Sequence, residues 1–413
     1  MWTLYRKLSY LHVILLLHIF VVLYFTALLW RWNNTGRTSL EIPVESSRRQ
    51  HGAIKRKIVL FTTRWWQSHF PYLDEANRFC PRCAFTENQS LWRDSDAIVF
   101  HGRMLPDVIP PRQKPNELWV FMLFEALTNY DLKSITDKIV KFDGVFNWTM
   151  TYRRDSDIFM PYGKFVNVTK HQRPGYNESW AFIMGANGRQ TYENAVYQVT
   201  PSIIRNNSKN QSLVAWVVSH CKSKNNRQNI VAELQKYVPI DIYGNCGDNP
   251  KKCDVPKAHA LAGVDCKIQM QNQYKFYLSF ESDNCQDYVT EKFFDIVSAT
   301  NMIPIVFGGV DYKGMFPEKS FINVRDFKGV KELGEYLKYL DTHPDQWLEY
   351  FEWRKHFWVQ NNRFVAGYCA LCDKLWELEK LKQENRESKT YHHIWDWWLY
   401  RRDSNKSSSL ACE

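Results

Sequence analysis

Phe276-Tyr277-Leu278-Ser279-Phe280-Glu281, a polar turn from Ser282 to Gln286, and then Asp287-Tyr288-Val289-Thr290-Glu291-Lys292 decide how this chain is read. The first six residues, apolar and aromatic, predict a strand that ends on a carboxylate. Asp287 is placed to cap a helix starting near Tyr288, because its side chain can accept an orphan N–H of the first turn. Phe293, Ile296, Val297 and Thr300 recur at helical spacing, and Ile303-Pro304-Ile305-Val306-Phe307 predicts a second strand closed by Gly308-Gly309. Strand, helix and strand form a βαβ unit, whose ligand site lies where the first strand meets the helix.

Lys292 sits in the first turn of that helix, where the macrodipole is positive and a cation is disfavoured by about a few tenths of a kcal/mol. A bound anion reverses the sign, since a helix N-terminus with an added ammonium is a phosphate site. The plainer alternative is a solvated lysine paired with Asp287 or Glu291. A second βαβ half precedes it: strand Leu213 to Val218, a helix from Arg227 carrying Ile230, Val231, Leu234 and Tyr237 on one face, and strand Ile240 to Gly244. Arg227 again puts a cation in a first helical turn. G-x-G-x-x-G is absent from both halves, so a dinucleotide fingerprint is missing.

Upstream, Lys57 to Phe61, Ala97 to Phe100 and Leu118 to Met122 predict strands separated by helices and loops, an α/β pattern. His101 and Glu125 fall at or just past strand C-termini, the edge on which such sheets present ligand-binding groups. Asp155-Ser156-Asp157 has the form of a D-x-D metal clamp, but Arg153 and Arg154 precede it and are expected to neutralise these carboxylates as structural pairs. The polar stretch Arg205 to Ser212 marks the boundary between halves. Phe351 to Phe364 is read as an aromatic, basic helix returning across the domain interface. Trp395, Trp397 and Trp398 are read as an anchor packed on the core, and the segment after Arg402 as disordered.

Tyr10 to Trp30 is a near-continuous apolar run, interrupted only by His12, His18 and Thr26. Its length suits a transmembrane helix, and Arg6 and Lys7 ahead of it favour a cytosolic N-terminus. The formal net charge of +10 is spread along the chain. No clustered basic face or recognition motif supports nucleic-acid binding. A cationic site for a nucleotide diphosphate accounts for the charge better. Ten cysteines behind a signal anchor imply an oxidising lumen. Sequons at Asn33, Asn88, Asn147, Asn167, Asn177, Asn206, Asn210 and Asn405 agree with it, Asn88, Asn167, Asn177, Asn206 and Asn210 being the expected glycan sites. Asn147 lies in a segment expected to pack and is expected to stay bare. Cys80-x-x-Cys83 and Cys369-x-x-Cys372 fit either a four-thiolate zinc site or paired disulfides. Pairing among Cys221, Cys246, Cys253, Cys266 and Cys285 is not deducible, and Cys412 reads as free.

Phe280-Glu281, Asp287 to Lys292, and Ile303-Pro304-Ile305-Val306-x-Gly308 resemble the donor-binding signature of the α1,3-fucosyltransferases. Ser282 stands where that family usually has Asn. Phe146 to Asp157, ending in Pro161-Tyr162-Gly163, is a second stretch similar to the family, and the likeness covers about residues 57–400. It implies two facing Rossmann-like domains (GT-B) behind an N-terminal transmembrane helix, with transfer of fucose from GDP-β-L-fucose to a GlcNAc 3-hydroxyl with inversion. The implied layout is a cytosolic tail 1–9, signal anchor 10–30, stem 31–56, acceptor-side domain 57–211, GDP-fucose-binding domain 212–375, and a C-terminal anchor and tail 376–413. It places the protein in the Golgi membrane as a single-pass type II protein with its catalytic domain in the lumen.

By the same resemblance Arg227, Glu281, Tyr288, Glu291 and Lys292 contact the donor. Cys80, Cys83, Cys369 and Cys372 become disulfides, since family members tie an early cysteine region to a late C-x-x-C. The general base is Glu125, which matches the glutamate opening the family's Glu-Ser-Pro segment although Ala126-Leu127 follows it here; Asp131 is the next carboxylate to test. No metal is required, divalent ions acting at most as weak stimulants. Tyr243-Gly244-Asn245-Cys246-Gly247 and the Asn284 to Phe294 segment look more like the core-type enzymes that modify the innermost GlcNAc of N-glycans. An antennal, Lewis-type acceptor and an inactive, membrane-tethered glycan-binding homologue remain the alternatives.

Overall fold

Short, uninterrupted apolar runs build the frame. In β4 (Leu118–Leu123) every residue is buried, as are all five of β3 (Ala97–His101), β10 (Phe276–Phe280) and β11 (Ile303–Phe307). Strands covered on both faces belong to parallel sheets, and both main sheets here are parallel. The computed structural model describes residues 56–65, 68–114, 117–126, 138–167, 212–246, 262–361, 363–382, 390–399 and 412. The predicted membrane span, the stem up to residue 55, Asp131 and the sequons at 33, 177, 206, 210 and 405 lie outside them. Among the described residues no helix is long and apolar enough to cross a membrane.

The first sheet adds β1 (Lys57–Phe61), β2 (Cys83–Thr86), β5 (Trp148–Thr151) and β6 (Ile158–Phe159), in the order β2-β1-β3-β4-β5-β6. The second contains β8 (Val214–Val218), β9 (Ile240–Gly244), β10, β11 and β12 (Ile322–Asn323), in the order β12-β11-β10-β8-β9. In each sheet the chain leaves one strand for its neighbour on one side and resumes on the other. That reversal makes a switch point between β1 and β3 and another between β8 and β10, where α/β sheets hold ligands at their carboxyl ends. The α/β class with parallel sheets read from the sequence is therefore the class of the structure.

The second sheet carries α2 (Arg227–Leu234), α3 (Ala262–Met270), α4 (Glu291–Ala299) and α5 (Val330–Thr342). α1 (Leu73–Phe79) and α6 (Arg363–Lys382) pack on the first sheet, together with α7 (Ile394–Leu399). Trp397 and Trp398 of α7 are buried in the first core, as expected of an anchor. The helix predicted over Phe351–Phe364 is not formed. A 3-10 turn, Glu349–Lys355, is followed by β13 (Phe357–Gln360), which pairs antiparallel with β7 (Lys164–Asn167). Backbone partners on β7 outweigh the helical spacing of the aromatics, and Arg354 is buried, donating to Asn301 Oδ1 at 2.8 Å and Thr300 O.

Cys80 bonds Cys369 and Cys83 bonds Cys372, so α6 is stapled to the first sheet across 289 residues of chain. Cys221 bonds Cys246, and Cys266 is also in a disulfide. Cys412 is not free. It bonds Cys285, and an antiparallel bridge joins the two backbones. Composition alone does not show such a partner 127 residues away. Asn88 is exposed and Asn167 is half-buried on β7, whereas Asn147 is buried with its Oδ1 accepting the Trp119 N–H at 2.9 Å.

Candidate active site

The loop between β10 and α4 differs in detail from its reading. The helix starts at Glu291, not Tyr288, and Thr290 is its N-cap, accepting the Lys292 N–H through its side chain. Asp287 instead has φ of 60°, a left-handed turn residue, and its carboxylate accepts the Arg154 N–H at 3.0 Å. Threonine is as good a cap as aspartate in kind, and the extra turn lets the chain fold back over the strand end.

That turn builds a compact charged network. Glu281, fully buried, accepts the Thr290 N–H at 2.7 Å and the Thr290 hydroxyl at 2.9 and 3.1 Å. Lys292 Nζ lies 3.3 Å from Glu281 Oε2 and 3.2 Å from Glu291 Oε1, and donates to Thr290 Oγ1 at 2.8 Å. Burial works against its charge, but the carboxylates of Glu281 and Glu291 outweigh it and hold the ammonium above the usual lysine range. Lys292 is thus a permanent cation at the positive end of α4, with 22% of its side chain exposed. Glu281 does not line the cavity described below; its oxygens serve Thr290 and Lys292.

Arg227 begins α2 and is buried, donating to Phe280 O at 2.6 Å and His220 O at 3.1 Å with its guanidinium over the Trp216 ring. Burial pulls its pKa down from the ordinary arginine value. The side chain ties the β8 and β10 loops at the switch point and is held by carbonyls. Asn225 strengthens the same tie by donating to Glu281 O at 2.9 Å.

From the first sheet, Glu125 follows β4 with 23% of its side chain exposed, and its Oε2 accepts no hydrogen bond among the described residues. Its charged neighbours are His101 Nε2 at 3.8 Å and Arg103 Nε at 4.0 Å. Arg103 also donates to Ala126 O at 2.7 Å, and the His101 N–H reaches Thr63 Oγ1 at 2.7 Å. The Trp65 ring lies 4.6 Å from the His101 ring. These groups mark the β1/β3 switch point.

The two edges meet. Trp65, Phe124, Glu125 and Tyr162 face Tyr288, Glu291 and Lys292 around a cavity of about 210 Å³. Burial pushes the Tyr288 phenol well above its ordinary range, so it stays a neutral donor or acceptor. Four of the residues singled out in the sequence therefore line one cavity: Glu125, Tyr288, Glu291 and Lys292. Glu281 and Arg227 stand behind it. Trp65 and Tyr162 were not assigned a role; an aromatic residue just past a strand end at a switch point is the signal that points to Trp65.

Asp155-Ser156-Asp157 lies away from the cavity. Arg153 donates twice to Asp155, at 2.9 and 2.8 Å, and also to the Trp397 and Trp398 carbonyls. Arg154 does not join this pairing as expected; it sits at Asp287 instead. Asp157 is held by the Thr149 N–H and hydroxyl and by the Tyr391 hydroxyl. Among the described residues no group of three or more His, Cys, Asp or Glu side chains is placed to hold a metal ion.

Comparison with known proteins places this site in a family. Residues 207–397 match the C-terminal domain of glycosyltransferase family 10 (fucosyltransferase), and residues 54–163 match the fucosyltransferase N-terminal domain. Alpha-(1,3)-fucosyltransferase C of Drosophila melanogaster is 31% identical over 362 residues, 83% of this chain and 78% of that protein. Glycoprotein 3-alpha-L-fucosyltransferase A of the same species is 34% identical over 325 residues, 77% of this chain but only 55% of that protein. A crystal structure of an alpha1,3-fucosyltransferase with GDP-fucose superposes with a TM-score of 0.48 at 19% identity, covering 82% of this chain and 92% of that one. The protein is a glycosyltransferase, and the chain belongs to the family 10 fucosyltransferases.

Proposed function

We propose that this protein transfers L-fucose from GDP-β-L-fucose to the 3-hydroxyl of a GlcNAc in glycoprotein glycans, inverting the anomeric centre. The observation that carries the reading is the meeting of Glu125, from one sheet, with Lys292, from the other, across one cavity. The cavity fits a monosaccharide and the adjoining phosphate better than a whole sugar nucleotide, since complete small-molecule pockets run to about 300–1,000 Å³. GDP leaves as the bond between fucose C1 and the β-phosphate oxygen breaks. Lys292 and the N–H groups at the start of α4 stabilise the charge that develops on it. The acceptor oxygen attacks C1 from the opposite face, and Glu125 takes its proton. A half-buried carboxylate with one oxygen that accepts no hydrogen bond among the described residues suits that task. Glu291 and Tyr288 offer hydrogen bonds to donor hydroxyls, while Glu281 and Arg227 hold the two loops in place.

The innermost GlcNAc of the N-glycan core is the acceptor we favour, on the likeness of the Tyr243 to Gly247 and Asn284 to Phe294 segments to core-type enzymes. The protein would act in the Golgi lumen, held by the predicted anchor at residues 10–30. Incubation with GDP-fucose and either a chitobiose-core glycopeptide or a LacdiNAc or lacto-series oligosaccharide tests both points. GDP release only with the core glycopeptide supports the reading. Release only with the antennal glycan moves the acceptor, and none with either, despite GDP binding, favours a glycan-binding homologue.

A further inference from the structure

The Cys285–Cys412 disulfide lies outside everything the catalytic reading uses, yet it ends inside the loop that reading depends on. Cys285 is 1% exposed and sits midway along the turn from β10 to α4. Its carbonyl accepts the Tyr288 N–H at 3.3 Å, so its position sets that of the tyrosine that lines the cavity. The turn is held at its root, where the Glu281 N–H reaches Phe307 O at 2.9 Å and Asn225 reaches Glu281 O. At its tip it leans on glycine: a Cβ on Gly309 would come within 2.4 Å of the Asn284 backbone. Past the tip, Asp287 holds a left-handed conformation, which an aspartate tolerates better than most side chains but which still costs backbone energy. Such a turn needs outside constraint, and Cys412 supplies one through both a covalent bond and a backbone bridge.

We propose that the Cys285–Cys412 disulfide is a positioning device for the donor loop, holding Tyr288, Glu291 and Lys292 in the arrangement that receives the diphosphate. A cysteine remote in sequence thereby becomes part of the donor-binding apparatus without touching the donor. The other bridges differ in what they join: Cys80–Cys369 and Cys83–Cys372 fasten a helix to the first sheet. The inference rests on the reading that the cavity takes GDP-fucose. Its thermodynamic form is simple. If cutting the bridge leaves the competent loop populated about a tenth of the time, apparent donor affinity falls about tenfold.

The test compares Cys412→Ser, Cys285→Ser and the double variant with the intact protein, using GDP titration and KM against kcat for GDP-fucose. Each single variant should weaken GDP binding and raise KM for GDP-fucose about tenfold, with KM for the acceptor unchanged. The double variant should be no worse than either single one, since all three break the same bond. Removal of Cys80 and Cys369 together should lower Tm while leaving GDP affinity in place. Folded Cys412→Ser protein that binds GDP as tightly as the intact protein overturns the proposal. So does recovery of Cys285 and Cys412 on separate peptides after digestion without reductant, a readout that survives even where the variants fail to fold. Absence of GDP binding by the intact protein would instead sink the donor reading itself, a result distinct from either.

Discussion

Both halves of this molecule use the same strand order and present a switch point to the same cavity, but they prepare those edges in opposite ways. The edge of the second sheet is electrostatically complete before any ligand arrives: Lys292 has Glu281, Glu291 and Thr290 around it. The edge of the first sheet is left open, with Glu125 Oε2 accepting no hydrogen bond among the described residues and its charged neighbours 3.8 and 4.0 Å away. A site that must hold a diphosphate benefits from a fixed charge whose reorganisation is already done. A site that must take a proton benefits from a group with capacity to spare. The difference between the edges is thus a division of labour, and it can be broken from either side.

The largest effect is expected at the open edge. Glu125→Gln keeps shape and hydrogen bonding but cannot accept the acceptor proton, so turnover should fall by about 10²–10⁴-fold. GDP titration should give an unchanged affinity, because the substitution leaves the second sheet alone. Turnover near that of the intact enzyme would move the base to another carboxylate, with Asp131 the next to test. Lys292→Ala attacks the complete edge, and there binding and rate should fall together. Loss of a charge-assisted bond to phosphate, about 1.5–3 kcal/mol, predicts GDP affinity lower by about ten- to a hundredfold. Unchanged GDP affinity in this variant would end the phosphate role of Lys292.

Thr290 sharpens the comparison, since it belongs to the complete edge without facing the cavity. Its hydroxyl donates to Glu281 and accepts from Lys292, besides capping α4. Thr290→Ala should cost about 0.5–2 kcal/mol of stability through the cap and weaken GDP binding severalfold by loosening Lys292. Thr290→Ser, which keeps the hydroxyl, should restore both. A variant that loses Tm but binds GDP normally would show that Lys292 is placed by the Glu281 and Glu291 carboxylates without the Thr290 hydroxyl.

How far the sequence carried these conclusions depends on whether a feature is local. The strands were legible because buried parallel strands are continuous apolar runs, and β1, β3, β4, β8, β10 and β11 all have that character. Lys292 and Glu125 were legible because each is anomalous where it stands, a cation at a positive helix end and a carboxylate past an apolar strand. Other features depend on distant partners and were not. Whether Asp287 or Thr290 caps α4 is decided by Glu281 reaching over to the Thr290 N–H, a contact between strand end and helix start. Whether Phe357 to Gln360 is helix or strand is decided by β7, almost 200 positions earlier in the chain. Cys412 has no local signal at all. Arg227 reads as a ligand cation by position, and the bonds that two of its guanidinium nitrogens make to the carbonyls of Phe280 and His220 are a further feature no spacing reveals.

The smallest expected effect concerns the carboxylates that resemble a metal clamp. Asp155 receives both donors of Arg153, and the same guanidinium reaches the carbonyls of Trp397 and Trp398 in α7. Asp157 joins the Thr149 N–H to the Tyr391 hydroxyl, again linking the first sheet to the segment leading into α7. These bonds use both oxygens of Asp155 and one of Asp157, and they fasten a buried tryptophan pair whose loss would expose core. A divalent cation therefore has no task here that Arg153 does not already perform, while the diphosphate across the cavity has Lys292. Chelation with EDTA should change the rate by no more than the loss of weak, nonspecific stimulation, and it should not change GDP affinity. Asp157→Asn should lower Tm and leave the response to EDTA as it was. Activity abolished by chelation and restored by one metal alone would overturn this, and would require Asp155 and Asp157 to leave Arg153, Thr149 and Tyr391 when substrate binds.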